Sequence, residues 1–196
     1  MLKEGKHIDL PQSDLWYYPN FLADTKATEL LDTLKSTIAW QHDIIKVYGK
    51  TYPQPRLTAL YSTNDKPYSY SNITMTPHIF TQELQEIKNA VELIEPISFT
   101  TCLANLYRSG QDSNGWHADD EVSLGKNPVI ASVSLGQHRF FHLKHKKDPS
   151  LKHKMLLEHG SLLLMKGSTQ HHWLHQISKT TRSIGERINL TFRIII

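Results

Sequence analysis

The stretch Asn114–Gly125, NGWHADDEVSLG, sets a histidine and three consecutive acidic residues beside a tryptophan. His117 and Asp119 are two residues apart. On an extended strand such a pair points to one side, as two ligands to one metal ion must. A solvated acidic turn accounts for the same residues, since H-x-D alone is a cheap coincidence. The rest of the chain has to separate the two readings. TQHHWLHQI offers three further imidazoles, His171, His172 and His175, any of which would supply a third ligand. The terminal run RINLTFRIII carries Arg187, Asn189, Thr191 and Arg193 on one strand face and Ile188, Leu190, Phe192 and Ile194 on the other. Asn105 and Tyr107 form another same-side polar pair within an apolar run. A polar-lined cavity inside a β-barrel accounts for all three segments at once.

Two arginines on one strand face suit a carboxylate, because guanidinium is planar, always charged and bonds carboxylate through paired hydrogen bonds. Two histidines and one carboxylate on one side of an ion leave three positions open, the geometry favoured by non-haem Fe(II) oxygenases. An α-keto acid such as 2-oxoglutarate would take two of them and dioxygen the third. Its distal carboxylate would need an arginine. A zinc hydrolase also uses His and Asp, but gives the arginines no role.

These residues need a scaffold. In ADTKATELLDTLKSTIAW, Leu30, Leu31, Leu34 and Ile38 recur on one helical face, with Asp24 or Thr25 as N-cap. In FTQELQEIKNAVELIEP, Leu84, Ile87, Val91 and Ile94 do the same, with Thr81 as cap and Pro96 as stop. From residue 97 the period changes. ISFTTCLANLY, PVIASVSL, HRFFHL, KMLLE, GSLLLM and RINLTFRIII are short β-rich runs, several separated by turn signals. Six or more strands in about 100 residues imply a sandwich, jelly roll or barrel. The expected class is mainly β with flanking helices (α+β). One structural domain divides into an N-terminal region, 1–96, and a β core, 97–196.

Composition sets the bounds. The chain of 196 residues is 39% hydrophobic and 21% charged, which is globular. No run of eighteen apolar residues offers a membrane span, and MLKEGKHIDLPQSDLW lacks a signal-peptide core. The lone cysteine, Cys102, excludes zinc fingers and internal disulfides and fits a reducing compartment. Net charge is only +3, but LKHKKDPSLKHK, residues 143–154, holds five lysines and two histidines against one aspartate. A solvated loop and a strip contacting backbone phosphate both fit it.

The order N-x-Y, H-x-D-D-E, W-x-H, R-x-N-x-T-F-R resembles the AlkB family of Fe(II)/2-oxoglutarate-dependent nucleic-acid dealkylases, and within it the subgroup acting on double-stranded DNA. The likeness runs from about Val47 to the C-terminus. It implies a double-stranded β-helix (jelly-roll) core under an N-terminal substrate lid. It implies that His117, Asp119 and His175 bind iron, and that Asn105, Tyr107, Arg187, Asn189, Thr191 and Arg193 contact 2-oxoglutarate. Arg187 would meet the distal carboxylate and Arg193 would lie nearer the metal. Asp120 and Glu121 match acidic residues that face the base. Tyr68, Ser69 and Tyr70 match a segment lining its pocket. Tyr48 and Gly49 match a hairpin finger entering the duplex, with tyrosine where relatives carry phenylalanine.

The implied function is oxidative demethylation of 1-methyladenine- and 3-methylcytosine-type lesions in DNA, double-stranded in preference to single-stranded. Fe(II), 2-oxoglutarate and dioxygen are consumed or bound; formaldehyde, succinate and carbon dioxide are released. Such lesions are cationic and unpaired, which lowers the cost of flipping the base and favours acidic and aromatic pocket residues. RNA demethylation or protein hydroxylation on the same scaffold is a rival, as is a non-catalytic jelly-roll binding protein. The expected setting is an intracellular monomer, in cytoplasm or nucleoid if bacterial and nuclear if eukaryotic.

Overall fold

The computed structural model describes residues 4–47, 50–64, 68–70 and 73–196; for 45–47, 50, 68–70 and 73–74 it describes backbone alone. Among the described residues, sixteen strands and three α-helices follow one another. They are β1 (Lys6–Ile8), β2 (Asp14–Tyr18), α1 (Asp24–Thr37), β3 (Ile44–Val47), β4 (Lys50–Pro53), β5 (Leu57–Ser62), β6 (Tyr68–Tyr70), β7 (Ile73–Met75), β8 (His78–Ile79) and α2 (Gln82–Glu92). After these come β9 (Thr101–Tyr107), β10 (Asn114–His117), β11 (Ile130–Gly136), β12 (Arg139–His145), β13 (Lys152–Leu157), β14 (Ser161–Lys166), α3 (Thr169–His172), β15 (Trp173–Ile177) and β16 (Arg187–Arg193).

The strands form an eight-stranded sheet, β1-β2-β14-β11-β16-β9-β5-β8, and a four-stranded sheet, β10-β15-β12-β13. Pairing is antiparallel throughout except between β5 and β8. Two facing sheets built from such pairs make a jelly roll. The main sheet takes strands from both sides of residue 97. β2, DLWYY, alternates half-buried and buried residues and pairs with β14, Leu163 opposite Tyr17.

Each face of the main sheet buries its own apolar set. Toward the helices, Leu30, Leu34, Leu84, Ile87 and Val91 pack with Val133, Ile188, Leu190 and Phe192. Toward the second sheet, Leu103, Tyr107, Phe141, Leu143, Leu163, Trp173 and Ile177 form another cluster. Burying one such leucine contributes roughly 2 kcal/mol. Because β16 is central, both its faces are covered. Its apolar residues face the helices, and Arg187, Asn189, Thr191 and Arg193 line a cavity between the sheets.

The helix ends differ in part from expectation. Thr81 caps α2, its hydroxyl accepting from the Leu84 amide at 3.3 Å. The helix then stops at Glu92, short of Pro96. The N-cap of α1 is Ala23, without a side-chain bond. Asp24 is the first helical residue, where its charge still complements the positive end of the helix. The lysine-rich segment is half loop: residues 146–151 connect β12 to β13, and its two ends lie in those strands, with Lys144 opposite Lys152 and, just outside it, His142 opposite Lys154. Gly136 closes β11 at φ +84°, and an added Cβ would sit 2.5 Å from the Glu186 carbonyl oxygen, so only glycine fits.

Candidate active site

The antiparallel register of β10 and β15 sets His117 directly opposite His175. The rings meet edge to face, centroids 4.2 Å apart. Asp119 follows two residues after the end of β10. One ligand atom from each of the three residues lies within 4.8 Å of the others. Every member is held from behind. His117 Nδ1 lies 2.7 Å from the Gly115 carbonyl oxygen. That oxygen can only accept, so Nδ1 carries the proton and Nε2 keeps the lone pair a metal needs. Asp119 receives Arg193 Nη2 on Oδ1 at 2.7 Å, and its backbone amide donates to Gln170 Oε1 at 2.9 Å. Phe141 stacks on the His175 ring at 5.2 Å.

The electrostatics favour the ligand forms. Burial, aided by His117, pushes His175 down to about 3. Burial also lowers His117, against the opposing pull of Asp119. Both imidazoles are therefore neutral at neutral pH. Burial alone would raise the Asp119 carboxyl, but Arg193 and the two histidines outweigh it and hold it below its usual value. Two neutral imidazoles and one carboxylate fit Fe(II) with positions to spare.

Farther along β16, Arg187 is 1% exposed. Its Nη2 donates to Ser134 Oγ at 2.9 Å, while Nε and Nη1 have no hydrogen-bond partner among the described residues. Its guanidinium lies 5.2 Å from the Tyr107 ring centroid. Burial pushes it down to about 10, still cationic at neutral pH. A buried cation with unpaired donors is costly unless an anion completes it. The distal carboxylate of 2-oxoglutarate is such an anion, and Arg187 lines the same cavity as the His117–Asp119–His175 cluster.

Residues 14–193 match the family described as the 2OG-Fe(II) oxygenase superfamily. The chain belongs to that superfamily, in its AlkB branch. It is 40% identical over 187 residues to human "Alpha-ketoglutarate-dependent dioxygenase alkB homolog 3", covering 91% of this chain and 65% of the relative. It is 38% identical over 224 residues to "DNA oxidative demethylase ALKBH2" of Arabidopsis thaliana, covering 97% of this chain and 69% of the relative. The chain thus spans somewhat less than two thirds of the human relative's length. The structure of OsALKBH1 shares the fold, with a TM-score of 0.68 at 20% identity over 95% of this chain and 99% of that one. The superfamily is named for Fe(II) and 2-oxoglutarate, and the donor set fits both.

Around this AlkB-type centre the other expected residues fall unevenly. Asn105, Tyr107, Asn189, Thr191 and Arg193 all line the cavity. The Asn189 amide is spent on β11, donating to Ser132 Oγ at 2.8 Å and the Val133 carbonyl at 3.1 Å. Asn105 Oδ1 accepts from Arg56 Nε at 2.7 Å. His171 and His172 stand apart from the cluster: His171 is 2.7 Å from Asn127 Oδ1, and His172 stacks on His145. Asp120 is exposed and paired with Lys146 at 2.9 Å; Glu121 is half-buried beside it. Tyr68, Ser69 and Tyr70 make up β6, described in backbone only. Tyr48 and Gly49 lie outside the described residues.

Sequence reasoning passed over Arg56, Ser132, Ser134, Arg139 and Gln170. The serines were legible, since they sit at i and i+2 in the apolar run IASVSL and so share a face. Arg139 shares strand parity with buried Phe141 and Leu143. Arg56, between two prolines and a strand, and Gln170, in a four-residue helix, carry no such signal.

Proposed function

We propose that the chain oxidatively demethylates N-alkylated bases of the 1-methyladenine and 3-methylcytosine type in DNA. It uses Fe(II), dioxygen and 2-oxoglutarate and releases formaldehyde, succinate and carbon dioxide. The observation that carries this reading is the His117–Asp119–His175 cluster, with Asp119 and His175 buried and His117 half-buried, sharing one cavity with the half-satisfied guanidinium of Arg187. When bound, iron and its co-substrate supply the oxidising power that hydroxylates the N-methyl carbon.

The chain's own residues do the rest. His117, Asp119 and His175 hold the metal. Arg193 fixes the Asp119 carboxylate and keeps it ionised. Arg187 takes the distal carboxylate, with Ser134 orienting it. Tyr107 walls that end of the cavity, and Phe141 and Leu157 contribute apolar lining that excludes water. Asp120 and Glu121 place negative charge beside the metal ligands, where a cationic alkylated base gains and a neutral base does not.

DNA as substrate, and a duplex in particular, is supported by the outer face of the four-stranded sheet. There Lys144, Lys152, Lys154 and His142 stand together with two half-exposed aromatic rings, Trp116 and Phe140. Like charges directly opposite on a sheet are destabilising, and phosphate would offset that cost. Tyr48 and Gly49 fall between β3 and β4, which pair antiparallel, in keeping with a finger that fills the space left by a flipped base.

The test is formaldehyde release from methylated DNA, single- and double-stranded, with Fe(II) and 2-oxoglutarate. Faster turnover of the duplex is expected. Turnover confined to single strands or RNA would move the substrate to a rival reading. Succinate formation with no nucleic acid accepted would remove the demethylase reading altogether.

A further inference from the structure

Arg139, the first residue of β12, is only 5% exposed, and its guanidinium lies beside Tyr107, a residue of the cavity wall. Among the described residues its hydrogen bonds go only to backbone carbonyls: Nη1 to Ser109 at 3.3 Å, and Nη2 to Asp112 at 3.0 Å and Ser178 at 2.7 Å. Its Cζ lies 5.7 Å from the centroid of the Tyr107 ring, the ring that Arg187 approaches to 5.2 Å. Two buried guanidiniums therefore share one aromatic ring. Neither forms an ion pair among the described residues. The nearby Asp112 carboxylate is held by Arg108, through Nε to Oδ2 at 2.8 Å and Nη2 to Oδ1 at 2.9 Å. Neutral donors would serve to tie three carbonyls together. A buried cation is a costly way to do so, unless its charge has a further use.

We infer that Arg139 is a positioning residue for a dicarboxylic co-substrate. It braces Tyr107 and the Ser109–Asp112 turn behind Arg187, and it adds a second positive charge to the field felt by the distal carboxylate. The inference rests on the reading of the cavity as a 2-oxoglutarate site. Arg187 makes the contact; Arg139 strengthens it without touching the ligand. Its charge acts on the distal carboxylate alone, so its effect depends on whether the ligand has one.

Equilibrium binding under nitrogen to the Fe(II)-loaded protein, followed by tryptophan fluorescence, tests this with two probes. They are 2-oxoglutarate and 2-oxopentanoate, which has the same chain length and no distal carboxylate. Wild-type protein must prefer 2-oxoglutarate; if it does not, the co-substrate reading itself fails. Given that preference, Arg139→Gln should weaken 2-oxoglutarate by about tenfold, the size of one screened charge interaction. Binding of 2-oxopentanoate should change by no more than about twofold, since that ligand presents no distal charge. Arg139→Lys keeps the charge and loses the carbonyl brace, so it should retain the wild-type preference ratio. Equal losses on both probes in Arg139→Gln would reduce Arg139 to a fold brace. Should that variant not fold, loss of the preference in soluble Arg139→Lys would overturn the proposal equally well.

Discussion

The two faces of the four-stranded sheet carry similar residues to different ends. The inner face presents His117, His175, Phe141 and Arg139, all at least half-buried. Most polar groups there have a defined bond: His117 to Gly115, Arg139 to three carbonyls, and Asp119 beside them to Arg193 and Gln170, while His175 is held by its stack on Phe141. The outer face presents Trp116, Phe140, His142, Lys144, Lys152 and Lys154. Its cations lie opposite one another or over aromatic rings, Lys144 at 4.4 Å from the Trp116 centroid and Lys154 at 3.8 Å from that of Phe140. Burial makes the difference. Inside, an unmatched charge costs several kcal/mol, so each must be paired or await a ligand. Outside, water screens the same charges, and a loosely ordered cationic field is tolerated. A site that fixes one geometry belongs on the first face, and one that attracts a polyanion of any sequence belongs on the second.

That contrast predicts a ladder of effects. At the top, Asp119→Ala removes the cluster's only carboxylate and leaves the Arg193 guanidinium without its 2.7 Å partner. Iron content and turnover should both vanish, read by metal analysis and formaldehyde release. A variant that retains both would dissolve the inner-face assignment.

Arg187→Met comes next. It deletes a charge-assisted interaction, so the KM for 2-oxoglutarate should rise roughly 10- to 100-fold while that for DNA stays put. Parallel rises in both would make Arg187 structural. Arg193→Gln keeps a donor beside Asp119 and removes the charge. Supporting residues of this kind are worth roughly 10-fold or more in metal affinity, which an iron titration would show. Unchanged affinity would break the link between Arg193 and the metal ligand.

On the outer face, Lys144→Gln with Lys154→Gln should leave the 2-oxoglutarate KM unaltered. The slope of log affinity against log salt for duplex DNA should flatten by about 0.9 for each phosphate that is no longer neutralised. An unmoved slope would return this face to solvent.

The smallest effect concerns Asp112 behind the cavity. Burial pushes its carboxyl up, but Arg108 outweighs this and leaves it below its usual value. A lowered folded-state value means that the pair's stabilisation is complete above the ordinary aspartate range near 4 and fades as pH falls through the folded value. The Arg108 side chain is 42% exposed, so the contribution is discounted to at most about 1 kcal/mol. Arg108→Gln should narrow the gap in melting temperature between pH 7 and pH 3. An unchanged gap would show that the pair adds nothing.

Much of the scaffold was legible because its signals are local. Helical spacing found α1 and α2, and strand alternation found β9, β11, β12, β13, β14 and β16 within a few residues of their ends. β10 and β15 are short, and β2 and β5 lie in the N-terminal half, so periodicity did not single them out. Asp24 was a reasonable N-cap by type, yet the chain enters α1 one residue earlier, at Ala23. The lysine-rich run left a loop and a phosphate strip both open, and lysine's weak β propensity hid how far the strands reach into it: its ends pair in β12 and β13 while residues 146–151 connect them.

What the sequence alone determined is what a two-residue strand period can carry. It set His117 and Asp119 at ligand spacing, put Arg187 and Arg193 on one face of β16 and turned Ile188, Leu190 and Phe192 to the other. What only the tertiary structure decided is which distant residues meet those faces. Three histidines in TQHHWLHQI were equivalent by composition and nearly so by position. The register of β15 on β10 brings His175 opposite His117 and leaves His171 and His172 outside. Likewise Ser134 meets Arg187 because β11 pairs with β16 within the main sheet, and Arg139 meets Tyr107 because the two sheets face one another across the cavity. Register and sheet closure are set by the sum of contacts across the whole barrel, and no local window of sequence contains that sum.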